Sequence, residues 1–172
     1  METTEKIVEA YVRYVRGWAT IPNIRCKGQF EIDLLAIDPV SLKRYHIESG
    51  VSISGSFSAL TAKAYNPNDL KKRTRIAGAR RTLDYFVKKK FGSPNVRERL
   101  AEYGFKRGNY SKVIVTWGWT DEAARKAEKQ RIMLWDFRDL IAEIAEAFGH
   151  NRSHFPDDTT RTLQLYVRAR GK

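Results

Sequence analysis

Apolar residues recur at steps of three and four along the first helical stretch, residues 4 to 16. Ile7, Val8, Tyr11, Val12 and Val15 fall on one stripe, which predicts an amphipathic helix. Thr3 or Thr4 can cap its start. Gly17 ends it, and Pro22 keeps the next stretch out of helix, so IPNIRCKG reads as an irregular strand turning at Gly28. The period then changes to two. In FEIDLLAI, Phe30, Ile32, Leu34 and Ala36 alternate with Glu31, Asp33, Leu35 and Ile37. Both sets are apolar toward the end, the mark of an internal strand covered on both faces. Asp38-Pro39 makes a turn, and KRYHIES is its hairpin partner. Lys43, Tyr45, Ile47 and Ser49 share one face of it, and Arg44, His46, Glu48 and Gly50 the other.

Residues 51 to 66 are rich in serine, glycine and threonine and read as a strand extension and loop, with a short helix near 57 to 63. From 69 to about 90 the pattern is helical. Leu70, Ala77, Leu83, Phe86 and Val87 can face a core, while Lys71, Lys72, Arg75, Lys88 and Lys89 need water or phosphate. Residues 95 to 109 hold a short helix or ordered loop. SKVIVTWGW is a second strand buried on both faces, Thr120 caps a helix over DEAARKAEKQR, IMLWDF is a short strand, and DLIAEIAEAF is a helix closed by Gly149. The order is helix, three strands, basic helix, strand, helix, strand, helix. It predicts an α/β protein with a central mixed sheet flanked by helices. Residues 1–149 form this core. Residues 150–172 form a tail, with a polar linker and then a short helix packed on the core or on a partner.

Charge changes the picture. The chain of 172 residues carries a formal net charge of +12. Residues 63 to 112 hold 15 lysines and arginines against 4 acids, so one contiguous third carries +11 of that excess. Such asymmetry points to a polyanion, with nucleic acid first and DNA favoured. Lys71, Lys72, Arg73, Arg75, Arg80 and Arg81 are the expected phosphate contacts. A single cysteine, Cys26, excludes an intrachain disulfide and reads as a small buried hydrophobe. No apolar run approaches a membrane span. METTEKIVEA has acids and no apolar secretory core, which points to a cytoplasmic protein.

Two acids stand out because they lie inside apolar strands, where a carboxylate needs a partner. Paired strands would bring Asp33 and Glu48 together at one edge of the sheet. Close carboxylates repel unless a cation or proton sits between them. Mg²⁺ suits such a pair, since it takes oxygen ligands and keeps several waters. It can also activate a water and offset charge on a scissile phosphate. Beside a basic surface this predicts phosphodiester hydrolysis. The plainer alternative is a salt bridge from either acid to Arg44, Lys43 or the basic helix.

EIDLLAID and YHIESG, with the order of elements around them, resemble the PD-(D/E)XK nuclease superfamily, the restriction-endonuclease-like fold, in its resolvase or Mrr-like branches. The resemblance spans roughly residues 4 to 148. It implies a metal-dependent endonuclease acting on DNA, with Asp33 and Glu48 as ligands of Mg²⁺ or Mn²⁺. It also implies a first-helix glutamate, Glu9 or Glu5, that assists, and a homodimer that cuts two strands. The motif departs from the family at one position: the lysine expected two residues after Glu48 is Gly50. Either a cation reaches in from elsewhere, with Lys63 one candidate and Lys71 or Arg75 others, or the metal suffices, or the domain keeps binding without catalysis, or the alignment differs by a few residues.

His46 shares a strand face with Glu48 and is expected to support the site rather than react. His150 and His154 lack the partners of a zinc site. GVSISGSFS has glycines and hydroxyls after a strand but not the ATP-loop spacing; Gly50 and Gly55 would let a nucleic-acid backbone approach. Trp117 and Trp119 are expected to pack rather than stack on bases.

Overall fold

The computed structural model describes residues 2–51, 59–66, 82–150, 155 and 157–170. Its strands are β1 (Ala19–Arg25), β2 (Glu31–Ile37), β3 (Arg44–Ser49), β4 (Tyr110–Thr116) and β5 (Ile132–Asp136). Its helices are α1 (Thr3–Ala10, continued by a wider π-type turn Tyr11–Val15), α2 (Leu83–Tyr85, continued likewise over Phe86–Lys90), α3 (Pro94–Glu102), α4 (Asp121–Lys129), α5 (Phe137–His150) and α6 (Asp158–Arg170). The strands form one sheet in the order β1-β2-β3-β4-β5. β1 and β2 pair antiparallel, as do β2 and β3, while β3, β4 and β5 are parallel to one another. The sheet is therefore mixed, and helices flank it.

Alternation along the central strands sorts the core into two layers. Tyr45, Ile47, Val113 and Val115 face α1, α5 and α6, where Val8, Val12, Ile144 and Phe148 close the first layer. Ile114, between Val113 and Val115, faces the other way, onto Phe86, Phe91 and Ala123. Each such side chain, fully buried, stabilises by about 1.5–3 kcal/mol. The tail does form a helix, α6, whose Leu163 packs against the first layer. No helix among the described residues is long and apolar enough to cross a membrane.

Local chemistry sets the element ends. Thr120 caps α4 by accepting from Ala123 N–H, and Thr82 caps α2 by accepting from Tyr85 N–H. The cap of α1 is Glu2 rather than Thr3 or Thr4, because Glu5 Oε2 reaches back to Glu2 N–H at 2.9 Å. No helix forms over residues 59–63. Leu60 N–H donates to Gly118 O and Leu60 O accepts from Thr120 N–H, which holds that segment extended beside the end of β4. Residues 52–58 and 67–81 lie outside the described residues, and with them most of the serine-rich loop and the first part of the expected basic helix.

One irregularity positions the site. β1 pairs with β2 through Pro22↔Leu34 and resumes at Ile24↔Ile32, with no pair at Asn23 and Asp33. Asn23 sits at φ 51°, a left-handed conformation that asparagine tolerates. β3 pairs with β2 only as far as Leu34↔Ile47. At Asp33, β2 is thus unpaired on both sides, and its neighbour β3 diverges at Glu48. Asn23→Gly is expected to be neutral within a few tenths of a kcal/mol. Asn23→Val should lose about 1–2 kcal/mol, since a β-branched residue resists this φ. Urea unfolding of the two variants measures the difference.

Candidate active site

Asp33 and Glu48 meet where the two strands part. Glu48 is fully buried and Asp33 nearly so, at 7% exposure. Asp33 Oδ2 accepts from Ser49 N–H at 2.8 Å, a bond made possible because the ladder has ended. Asp33 Oδ1 accepts from Lys90 Nζ at 2.7 Å. The same ammonium lies 2.6 Å from Glu48 Oε2. That contact is a buried ion pair. Glu48 Oε1 meets His46 Nε2 at 2.6 Å. One nitrogen therefore holds carboxylates from two strands.

Lys90 comes from the last turn of α2, and packing explains why no side chain enters from position 50. Gly50 N–H donates to Val115 O at 2.8 Å, tying the end of β3 to β4. A Cβ on Gly50 would stand 2.7 Å from Phe86 Cζ. The Phe86 ring fills the space over Gly50, and four residues on the same helix delivers the ammonium of Lys90 from the side.

The electrostatics follow from burial. Burial and the charge of Glu48 push the Asp33 carboxyl up to about 7, although Lys90 and Ser49 N–H oppose the shift. Burial also raises Glu48, against the pull of Lys90. Burial works to lower Lys90, but the charges of Glu48 and Asp33 win and hold its ammonium well above the usual lysine range. Burial holds His46 down at about 3, so its contact with Glu48 is a hydrogen bond of a neutral ring and not an ion pair. Wherever Glu48 is ionised, the neutral His46 ring meets it as the donor, through Nε2. Its Nδ1 is buried with no protein partner.

These residues fit a hard divalent cation. Two carboxylates on separate strands present oxygens to one point, where the ammonium of Lys90 now stands as the cation between them. Mg²⁺ is commonly held by one or two carboxylates plus waters. No set of three or more His, Cys, Asp or Glu side chains gathers as ligands among the described residues, so the pair would be its whole protein carboxylate shell.

The expected helpers are distributed differently. Glu9 pairs with Arg13 at 2.9 Å and accepts from Thr20 at 3.1 Å, turned toward the start of β1. Glu5, one turn earlier, is raised by burial and feels the charge of Asp33, while its Oε2 accepts from Glu2 N–H. Lys63 lies exposed in the segment before Tyr65, and among the described residues the lysine that contacts both acids is Lys90. Lys71, Lys72, Arg73, Arg75, Arg80 and Arg81 lie outside the described residues, as does His154. Trp117 packs on the first layer and Trp119 is 36% exposed. Burial pushes the Cys26 thiol up, away from reactive thiolate. Nothing in the sequence pattern separates Lys90 from Lys88 and Lys89. Its only signal there is a lysine ending the helix that follows the acid-bearing strand.

No protein-family model matches the chain, and no curated protein matches its sequence. A solved structure described as a protein of unknown function, AF1548, is similar at 17% identity and a TM-score of 0.49, over 98% of this chain and 78% of that one. The chemistry therefore rests on the geometry of the site.

Two measurements probe this geometry. Gly50→Ala should cost about 1–3 kcal/mol by overpacking, and a double-mutant cycle with Phe86→Leu should recover much of that loss; independent costs would show that the ring does not close position 50. The second is pH. Asp33 binds its proton up to about 7 in the folded chain but only to about 3.8 unfolded, so its contribution is full below 3.8 and lost as pH rises through 7. His46 has the opposite sign, because the unfolded chain takes up its proton near 6.5 and the folded chain refuses it until about 3. The two oppose each other between those limits, so the test reads the variant against wild type, in which the burial of His46 is common to both. Asp33→Asn should gain stability relative to wild type as pH rises from 4 to 7, read by thermal unfolding in chelator.

Proposed function

We propose that the chain is a metal-dependent endonuclease hydrolysing DNA phosphodiester bonds. It would be built on a restriction-endonuclease-like core in which the motif lysine has moved from position 50 to Lys90. The observation that carries this is the placement of Lys90 Nζ at 2.7 Å from Asp33 and 2.6 Å from Glu48 at the split between β2 and β3. An acid on each of two neighbouring strands plus one lysine is the constellation that the motif residues call for, and the mixed sheet supplies their spacing. Asp33 and Glu48 would hold Mg²⁺, with Mn²⁺ as a substitute; such a bound cation supplies an acidified water and charge neutralisation at phosphate. Lys90 would orient the attacking water and stabilise charge building on the phosphoryl oxygens. His46 keeps Glu48 in one orientation from behind. The basic stretch from 63 to 112 supports DNA as the polyanion, and two copies of the site in a homodimer would serve two strands.

A second reading has an observation in its favour. Lys90 already bridges the two carboxylates without a metal, which suits a nucleic-acid-binding domain that has lost catalysis. Incubation with linear, supercoiled, single-stranded and branched DNA, in Mg²⁺, Mn²⁺ or chelator, separates the two. The nuclease cuts at least one substrate in metal only. Asp33→Asn, Glu48→Gln and Lys90→Ala each lower the rate by about 10²–10³-fold, while Lys63→Ala keeps it. Circular dichroism confirms that each variant is folded. Salt-sensitive DNA binding with no cutting of any substrate would establish the binding domain instead.

A further inference from the structure

Arg97, Lys106, Arg107 and Lys112 line one cleft of about 530 Å³, on the same side of the sheet as Glu48, and no carboxylate lines it with them. Lys106, Arg107 and Lys112 make no ion pair with any described residue. Arg97 is fixed by its guanidinium, which donates from Nε to Gly92 O at 3.1 Å. Lys112 stands 5.7 Å over the ring of Phe91. Burial lowers the Lys112 ammonium, and the charges of Arg97 and Arg107 lower it further. These cations therefore sit within each other's field. Like charges held together without counter-ions are unfavourable until an anion joins them, and a phosphate is well matched to guanidinium donors. The floor is apolar, with Phe91 and Tyr110 among its walls. Its volume falls within the range of about 300–1,000 Å³ typical of small-ligand sites.

The cleft adjoins the carboxylate pair. Phe91 follows Lys90 in the chain. The His46 ring lies edge-on to Phe91 at 4.9 Å and near Tyr110 at 6.2 Å, while its Nε2 holds Glu48. One buried imidazole thus separates the reacting centre from the wall of the cleft. We propose that the cleft holds one nucleotide of the bound strand, its phosphate on Arg107, Lys106 and Lys112 and its base against Tyr110 and the apolar floor. A concave site with an apolar floor takes a single nucleotide unit, whereas a continuous duplex backbone would lie along an open surface. The strand as the source of that nucleotide rests on the function proposed above; the affinity of the cleft for a phosphate-bearing ring does not.

Binding is measured on the full chain in chelator, where no cleavage occurs, so the two ideas fail separately. The probes are a nucleoside 5′-monophosphate, the unphosphorylated nucleoside, inorganic phosphate and a short single-stranded oligonucleotide. The monophosphate and the oligonucleotide should bind and compete, and the nucleoside should not bind. Arg107→Ala, in an exposed turn, should weaken both ligands about tenfold or more, and Lys112→Gln should do the same. Lys43→Ala, an exposed cation elsewhere, should change little. Equal losses from Lys43→Ala and Arg107→Ala would reduce the effect to general charge and overturn the proposal. So would an oligonucleotide affinity that neither cleft variant alters. A monophosphate that binds through Arg107 but does not compete with the strand would overturn the strand as its source.

Discussion

Two carboxylates buried side by side repel each other and lose their water, and this fold keeps Asp33 and Glu48 together by placing one ammonium between them. Lys90 is the only cation the described residues bring to both acids. Removing one partner from such a cluster leaves an uncompensated buried charge, typically a loss of about 3–5 kcal/mol. The surrounding structure serves that placement. The unpaired stretch at Asn23 and Asp33 frees Asp33 to take Ser49 N–H, Thr82 and Leu83 pin the start of α2 beside Thr61, and Phe86 packs over Gly50 so that the helix ends with Lys90 above the acids.

His46 extends this cluster in the other direction. Its burial keeps it neutral, its Nε2 orients Glu48, and its ring forms part of the packing behind the basic cleft. A charged histidine here would place another cation in a site already holding Lys90, so neutrality is part of the arrangement. The face of the sheet beneath α2 and α3 therefore carries a graded field. A nearly neutral cluster lies at the β2–β3 split, and uncompensated positive charge lies at Arg97, Arg107 and Lys112 a short distance away. That gradient would draw a polyanion across the centre and hold it there.

Particular residues show why part of this was legible in advance. The alternation of KRYHIES put His46 and Glu48 on one face and Tyr45 and Ile47 on the other, and the structure has them so, because a strand's side chains obey a period of two wherever it lies. VIVT announced a strand covered on both faces for the same reason. Thr120 announced its helix because capping is local. Misplaced features depended on other elements. The cap of α1 fell to Glu2 because Glu5 can fold back on it, and residues 59–63 became extended because Gly118 and Thr120 offered them backbone partners.

The acids of the site belong to the first kind and its cation to the second. A carboxylate inside an apolar strand is unusual enough to flag Asp33 and Glu48 from the chain alone, because burial without a partner is costly whatever the fold. The partner is not local: Lys90 lies 57 residues from Asp33, in a run of lysines that look alike in sequence. Of that run, Lys88 folds back on Asp84 and Lys89 stands over Tyr65, and only Lys90 reaches the acids. The sequence by itself determined that two buried acids needed a positive charge and that glycine stood where a lysine was expected. Only the tertiary structure decided which lysine supplied it, because that choice depends on the angle at which α2 crosses the sheet and on the one ring, Phe86, that closes the space over Gly50.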